Sequence, residues 1–200
     1  MLLLVGLGNP GSEYDGTRHN IGFATIRFIT EYYKFTAYKR KFSGHYATGE
    51  IDGHKILTLM PATYMNNSGV SVNEAASFYK IPLPDIFVFH DDLDLELGRI
   101  KVKTGGGNGG HNGLASLDEH IGNEYTRIRV GIGHPLRRSA SEASPGNKDV
   151  VTDYVLTKFK KTEKAVADKV IINIADHLPF LLNDHPDKFM SKIAEQINGL

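Results

Sequence analysis

The chain of 200 residues contains no cysteine. That excludes disulfides, thiolate nucleophiles and zinc held by cysteine, and it suits a reducing compartment. Neither charge is in surplus, because 23 basic and 23 acidic residues cancel. A protein that coats nucleic acid by bulk charge is thereby excluded, whereas a local basic patch is not. No apolar stretch approaches the ~20 residues needed to span a bilayer. Met1 to Val5 lacks the basic n-region and the ~7–15-residue apolar region of a signal peptide, so it is read as the first strand of a cytoplasmic protein. No G-x-S-x-G, Walker A or H-E-x-x-H pattern occurs. The usual serine-hydrolase, nucleoside-triphosphatase and zinc-protease readings fall away.

Glycine, histidine and asparagine are what the chain does have, gathered in two stretches. The first is Gly6-Leu7-Gly8-Asn9-Pro10-Gly11, with Thr17-Arg18-His19-Asn20 just beyond. The second is Gly105-Gly106-Gly107-Asn108-Gly109-Gly110-His111-Asn112-Gly113. Dense glycine has an entropic cost and marks backbone that needs positive φ or close approach. Imidazoles and carboxamides supply bases, donors and acceptors without permanent charge. The pattern points to an enzyme whose site is built on loops.

Periodicity predicts a strand at Leu2 to Leu7 and a helix over Thr17 to Tyr33. His45–Ile51 and Lys55–Met60 flank Asp52-Gly53, a hairpin signal. A helix is expected over Ser68–Tyr79, a buried strand over Ile86–Phe89 leading into His90-Asp91-Asp92, and a half-exposed strand over Arg99–Lys103. A short helix at Asn112–Ile121, a strand at Tyr125–Ile132, and helices at Thr162–Leu182 and from Pro186 onward complete the pattern. Ser139–Lys148 reads as a mobile loop. The result is a single layered α/β domain over residues 1–200, with a mixed, mostly parallel sheet flanked by helices. A mobile lid is expected around residues 136–156.

Gly6-x-Gly8-x-x-Gly11 after a strand imitates a dinucleotide fingerprint. Pro10 lies inside it, and no acid ends a second strand at the usual distance. The acids from Asp91 to Glu96 imitate a metal loop, but Leu97 and Lys103 stand where an EF-hand needs glycine and glutamate. Asp92, Asp94 and Glu96 are read as solvated acids. Asp91 sits where the strand leaves the sheet, and ligands bind beyond such strand ends. Alternation puts Arg99, Lys101 and Lys103 on one strand face, and Arg127 and Arg129 on another. A solvated face is the plain reading of each pair; flanking the glycine loop, together they suit phosphate recognition.

Five segments in order and spacing resemble the bacterial-type peptidyl-tRNA hydrolases. They are Gly6 to Tyr14 with Thr17 to Asn20, Pro61-Ala62-Thr63-Tyr64-Met65-Asn66-Asn67-Ser68-Gly69, His90 to Asp94, Gly105 to Gly113, and Arg127 to Pro135. The likeness runs from residue 2 to about Phe159. The resemblance implies a monomer that hydrolyses the ester between a peptide and the 3′ end of tRNA, without metal or cofactor, recycling tRNA from abandoned translation. It implies that His19 is the base and Asp91 its orienting partner. Asn9, Tyr14, Tyr64, Met65, Asn66, His111 and Asn112 would line the cleft for the peptide and terminal adenosine. Lys103 and Arg129 would grip the tRNA 5′ phosphate. Arg137 to Gly146 reads as an insertion relative to the family.

On chemical grounds, Asn66 is the first choice for an oxyanion donor, and Asn112 positions water or substrate. The Asn9 side-chain carbonyl is expected to accept the amide N–H of a blocked substrate. A dinucleotide-binding module, a non-catalytic RNA-binding relative and a small-substrate esterase are the competing readings.

Overall fold

The structure is a computed structural model and describes residues 1–135 and 148–198. Its strands are β1 (Leu2–Gly6), β2 (Lys39–Lys41), β3 (Gly44–Ile51), β4 (His54–Pro61), β5 (Ile86–Asp92), β6 (Ile100–Thr104) and β7 (Thr126–Gly131). Its helices are α1 (Ile21–Tyr32), α2 (Ser68–Tyr79), α3 (Asn112–Ile121), α4 (Lys148–Leu156), α5 (Lys161–Leu182) and α6 (Pro186–Asn198). The strands form one sheet in the order β2-β3-β4-β1-β5-β7-β6. The four central strands β4, β1, β5 and β7 pair in parallel. The flanking pairs β2–β3, β3–β4 and β6–β7 are antiparallel.

Strand alternation divides the core between two faces. Leu4, Phe87 and Phe89 join α1, α5 and α6 on one side. Leu3, Val5, Ile86 and Val88 join α2 and α3 on the other. Helices on both faces explain why β1 and β5 are apolar runs rather than alternating ones.

Asp52 and Gly53 close the β3–β4 hairpin, both with positive φ (50° and 81°), as a two-residue primed turn requires. At the start of α1, a Cβ on Gly6 would collide with the Gly22 carbonyl, and one on Gly22 with the Phe89 carbonyl. This close approach seats α1 over β1 and β5. It accounts for the glycine after the first strand without a bound dinucleotide.

The elements depart from expectation in four places. The helix expected from Thr17 starts at Ile21; Arg18–Asn20 form a separate 3₁₀ turn, because the Asn20 side chain is tied back to Asn9. β2, an edge strand of three cations, had no apolar alternation to reveal it. β5 carries on through Asp92 instead of ending at Phe89. Of the expected lid, residues 148–156 form helix α4 rather than loop. Residues 136–147, which hold most of the Ser139–Lys148 loop and all of the Arg137–Gly146 insertion, lie outside the described residues. Among the described residues, no helix is long and apolar enough to cross a membrane.

Candidate active site

The parallel strands end on one side of the sheet, where their loops converge. Asp91, in β5, is 3% exposed. His19, in the turn before α1, places Nδ1 at 2.9 Å from both Asp91 oxygens. His111, the N-cap of α3, places Nε2 at 2.9 Å from Asp91 Oδ1. The other His111 nitrogen, Nδ1, accepts the backbone N–H groups of Gly113 and Leu114 at 3.1 and 3.3 Å. The His111 proton is therefore on Nε2, which donates to Asp91. An ionised carboxylate only accepts, so His19 donates from Nδ1. Its Nε2 is left bare, and no partner engages it among the described residues.

The charges follow from these contacts. Burial works against the Asp91 anion, but His19 and His111 outweigh it and hold its pKa well below the usual carboxylate range. Burial also disfavours charging His19, yet the Asp91 charge and hydrogen bond prevail and raise its pKa above 6.5. His90 is buried and donates Nδ1–H to the Asp91 carbonyl at 2.8 Å. Burial first, and His111 second, lower its pKa to about 3, so that ring stays neutral.

Asn9 follows β1 and is 8% exposed. Asn20 clasps its backbone, accepting Asn9 N–H and donating to Asn9 C=O, each at 2.9 Å. Asn9 Oδ1 accepts the Met65 N–H at 2.8 Å. The carbonyl end of this side chain is thus already engaged through one of its two lone pairs. No hydrogen bond engages Nδ2 among the described residues, and Asn9 lines the cleft.

A cleft of about 1200 Å³ surrounds these groups. Asn9, His19, Tyr64, Met65, Asn66, Asp91, Lys103, His111, Asn112 and Arg129 all line it. Tyr14 does not; its 3₁₀ turn instead offers its carbonyl to Thr17. Asp92 is no solvated acid, because its Oδ2 holds Arg129 Nε at 2.6 Å. Arg127 does not lie on a solvated face either. It is buried and donates to the carbonyls of Gly106 and Gly107 and to Asp118, pinning the glycine loop.

Sequence reasoning also missed the wall that α4 contributes through Val151, Thr152, Val155 and Leu156. It passed over Arg18 as well. That guanidinium pairs with Glu163 at 2.6 Å, bonds Thr157 and Lys158, and lies 4.3 Å from the Tyr154 ring centroid. The turn that presents His19 is thereby tied to the junction of α4 and α5.

His19, Asp91 and His111 gather ligand atoms within 4.8 Å of one another, as a metal site would. The donor set does not fit one. His111 Nδ1 already accepts two backbone N–H groups, so its Nε2 keeps a proton where a metal needs a lone pair. What the arrangement offers is a buried carboxylate fixing two imidazoles, one with a bare nitrogen beside a carboxamide donor.

Comparison with known proteins identifies the family. A family model described as peptidyl-tRNA hydrolase matches residues 3–199. A peptidyl-tRNA hydrolase of Rickettsia bellii is 48% identical over 195 residues, covering 97% of this chain and 100% of the relative. One of Rhodospirillum centenum is 47% identical over 194 residues, covering 97% and 81%. The crystal structure of peptidyl-tRNA hydrolase from Acinetobacter baumannii superposes with a TM-score of 0.86 at 40% identity, covering 96% of this chain and 94% of that one. The chain belongs to the peptidyl-tRNA hydrolase family.

Proposed function

We propose that this protein hydrolyses the ester joining a peptide to the 3′ end of tRNA, releasing free peptide and recyclable tRNA. The observation that carries the reading is His19, held by Asp91 through Nδ1 with Nε2 bare on the cleft. In that tautomer Nε2 takes a proton from water as the water attacks the ester carbonyl. Asp91 steadies the imidazolium that forms. General-base help of this kind contributes about 10²–10⁴-fold.

Asn66 donates to the developing oxyanion, and Asn112 orients the water or the ribose end of the substrate. Asn9 Nδ2 donates to the acyl carbonyl next to the esterified residue. An unblocked aminoacyl-tRNA has no such carbonyl, and its ammonium would face a donor. This gives selectivity for blocked substrates. Tyr64, Met65 and His111 form walls for the peptide and terminal adenosine. Lys103 and the free end of Arg129 bind phosphate of the tRNA. No step needs a cofactor. That His19, Asp91, Asn9 and Asn112 of one chain line the same cleft supports a monomer. A substrate made during translation supports a cytoplasmic location.

Side-by-side incubation with N-acetyl-aminoacyl-tRNA and unblocked aminoacyl-tRNA tests the reading. Rapid release of tRNA from the first and slow release from the second is expected. Equal rates, or no release from either, would overturn it.

A further inference from the structure

The edge of the sheet farthest from Lys103 and Arg129 has no part in the proposed reaction, yet it is built with the same charge. β2, the outermost strand there, exposes Lys39, Arg40 and Lys41 in succession. A second hollow of about 370 Å³ lies against it, lined by Arg40, Lys41, Ser43, Gly44, Ala62 and Thr63. Lys41 is in register with Gly44, and Gly44 with Pro61, so the hollow opens at the C-terminal end of β4. Ala62 and Thr63 run directly into Tyr64 and Met65 of the main cleft. Hollow and cleft are neighbours on one rim.

Neither Arg40 nor Lys41 has an acid within ion-pair distance among the described residues. The nearby Glu74 carboxylate accepts from Ser43 Oγ at 2.9 Å. Lys41 Nζ instead lies 3.5 Å from the centroid of the Phe78 ring, which is 58% exposed. Two unneutralised cations beside an exposed aromatic ring make a receptor for a carboxylate on an aliphatic stem.

The chemical centre sits between two basic ends of the sheet. If phosphate of the tRNA occupies the β6–β7 end, the acyl chain leaves the ester toward β4 and β2. We infer that the Arg40–Lys41 hollow is a subsite for an acidic side chain of the nascent peptide, upstream of the esterified residue. This inference rests on the proposed hydrolase reading. Three strand spacings separate β1 from β2, roughly 14 Å. An extended peptide advances about 3.3 Å per residue, so the acid sits about four or five residues before the ester.

The test uses peptidyl-tRNAs with N-acetylated heptapeptides carrying Glu, Ala or Lys at the fourth or fifth residue before the ester. N-acetyl-aminoacyl-tRNA is the short control. Wild type should favour Glu over Ala roughly two- to fivefold in kcat/KM, through KM, and disfavour Lys. The Arg40→Ala/Lys41→Ala variant should lose that preference while treating the short substrate as wild type does. Equal KM for Glu, Ala and Lys would overturn the inference. So would a variant whose KM rises as much for the short substrate, since the two cations would then serve tRNA. A wild type that leaves N-acetyl-aminoacyl-tRNA intact would overturn the hydrolase reading, and this subsite with it.

Discussion

His19 and His111 reach the same carboxylate oxygen, Oδ1 of Asp91, each at 2.9 Å, with their ring centroids 5.0 Å apart. One ring offers a bare nitrogen to the cleft. The other spends both nitrogens on structure: one caps α3 and one holds Asp91.

His111→Ala removes that second hold and the helix cap together. Loss of the cap should lower stability by about 1 kcal/mol, read from urea denaturation. Asp91, left with one partner, should orient His19 less well, so kcat should fall by about tenfold, while loss of the ring from the cleft wall should raise KM as well. An unchanged kcat would remove His111 from the orientation of Asp91 and His19.

With His19 as the proposed base, its raised pKa should set the acid limb of the rate profile. Protonated His19 cannot act as base, so kcat/KM should fall with a midpoint above 6.5 as pH is lowered. In Asp91→Asn the upward cause is gone and burial remains, so the midpoint should move below 6.5. The stability from the pair has the opposite sense. It is full below the unfolded value and is lost as pH rises through the higher folded value. A wild-type midpoint at or below 6.5 would contradict the pairing.

Asn9→Asp keeps an oxygen for the Met65 N–H but loses the donor. It also adds a negative charge that welcomes an ammonium. The ratio of kcat/KM for N-acetyl-aminoacyl-tRNA over unblocked aminoacyl-tRNA should drop by at least about tenfold. An unaltered ratio would remove Asn9 from substrate selection.

Lys103 and Arg129 should separate in their salt response. Lys103→Ala should raise KM and flatten its dependence on salt, because one phosphate contact releases fewer counterions. Arg129→Ala should also raise KM, and it further strips Asp92 of its partner at 2.6 Å, adding repulsion of phosphate. Its KM should therefore suffer more. Wild-type salt slopes in both variants would take these residues out of the tRNA footprint.

The sequence disclosed local structure and withheld long-range pairing. The Asp52-Gly53 hairpin was legible because turn geometry is a matter of two residues. α2 was legible from its apolar periodicity, which is a local property of its own residues. β2 was not, since an edge strand of three cations is defined by its register with β3. Asn9 could be placed at a strand exit, but the direction of its carboxamide depends on Met65, 56 residues later. Arg127 looked solvated because its acceptors, Gly106, Gly107 and Asp118, lie in another loop and helix. His19 and Asp91 were found through motif and resemblance, and their contact spans 72 residues.

The central claim is that the bare nitrogen of His19 drives the chemical step. Single-turnover hydrolysis of N-acetyl-aminoacyl-tRNA by His19→Ala, with tRNA affinity measured in parallel, tests it most directly. The account predicts a rate reduced by about 10²–10⁴-fold at nearly unchanged affinity. A variant that cleaves at more than a few per cent of the wild-type rate would show that the base lies elsewhere.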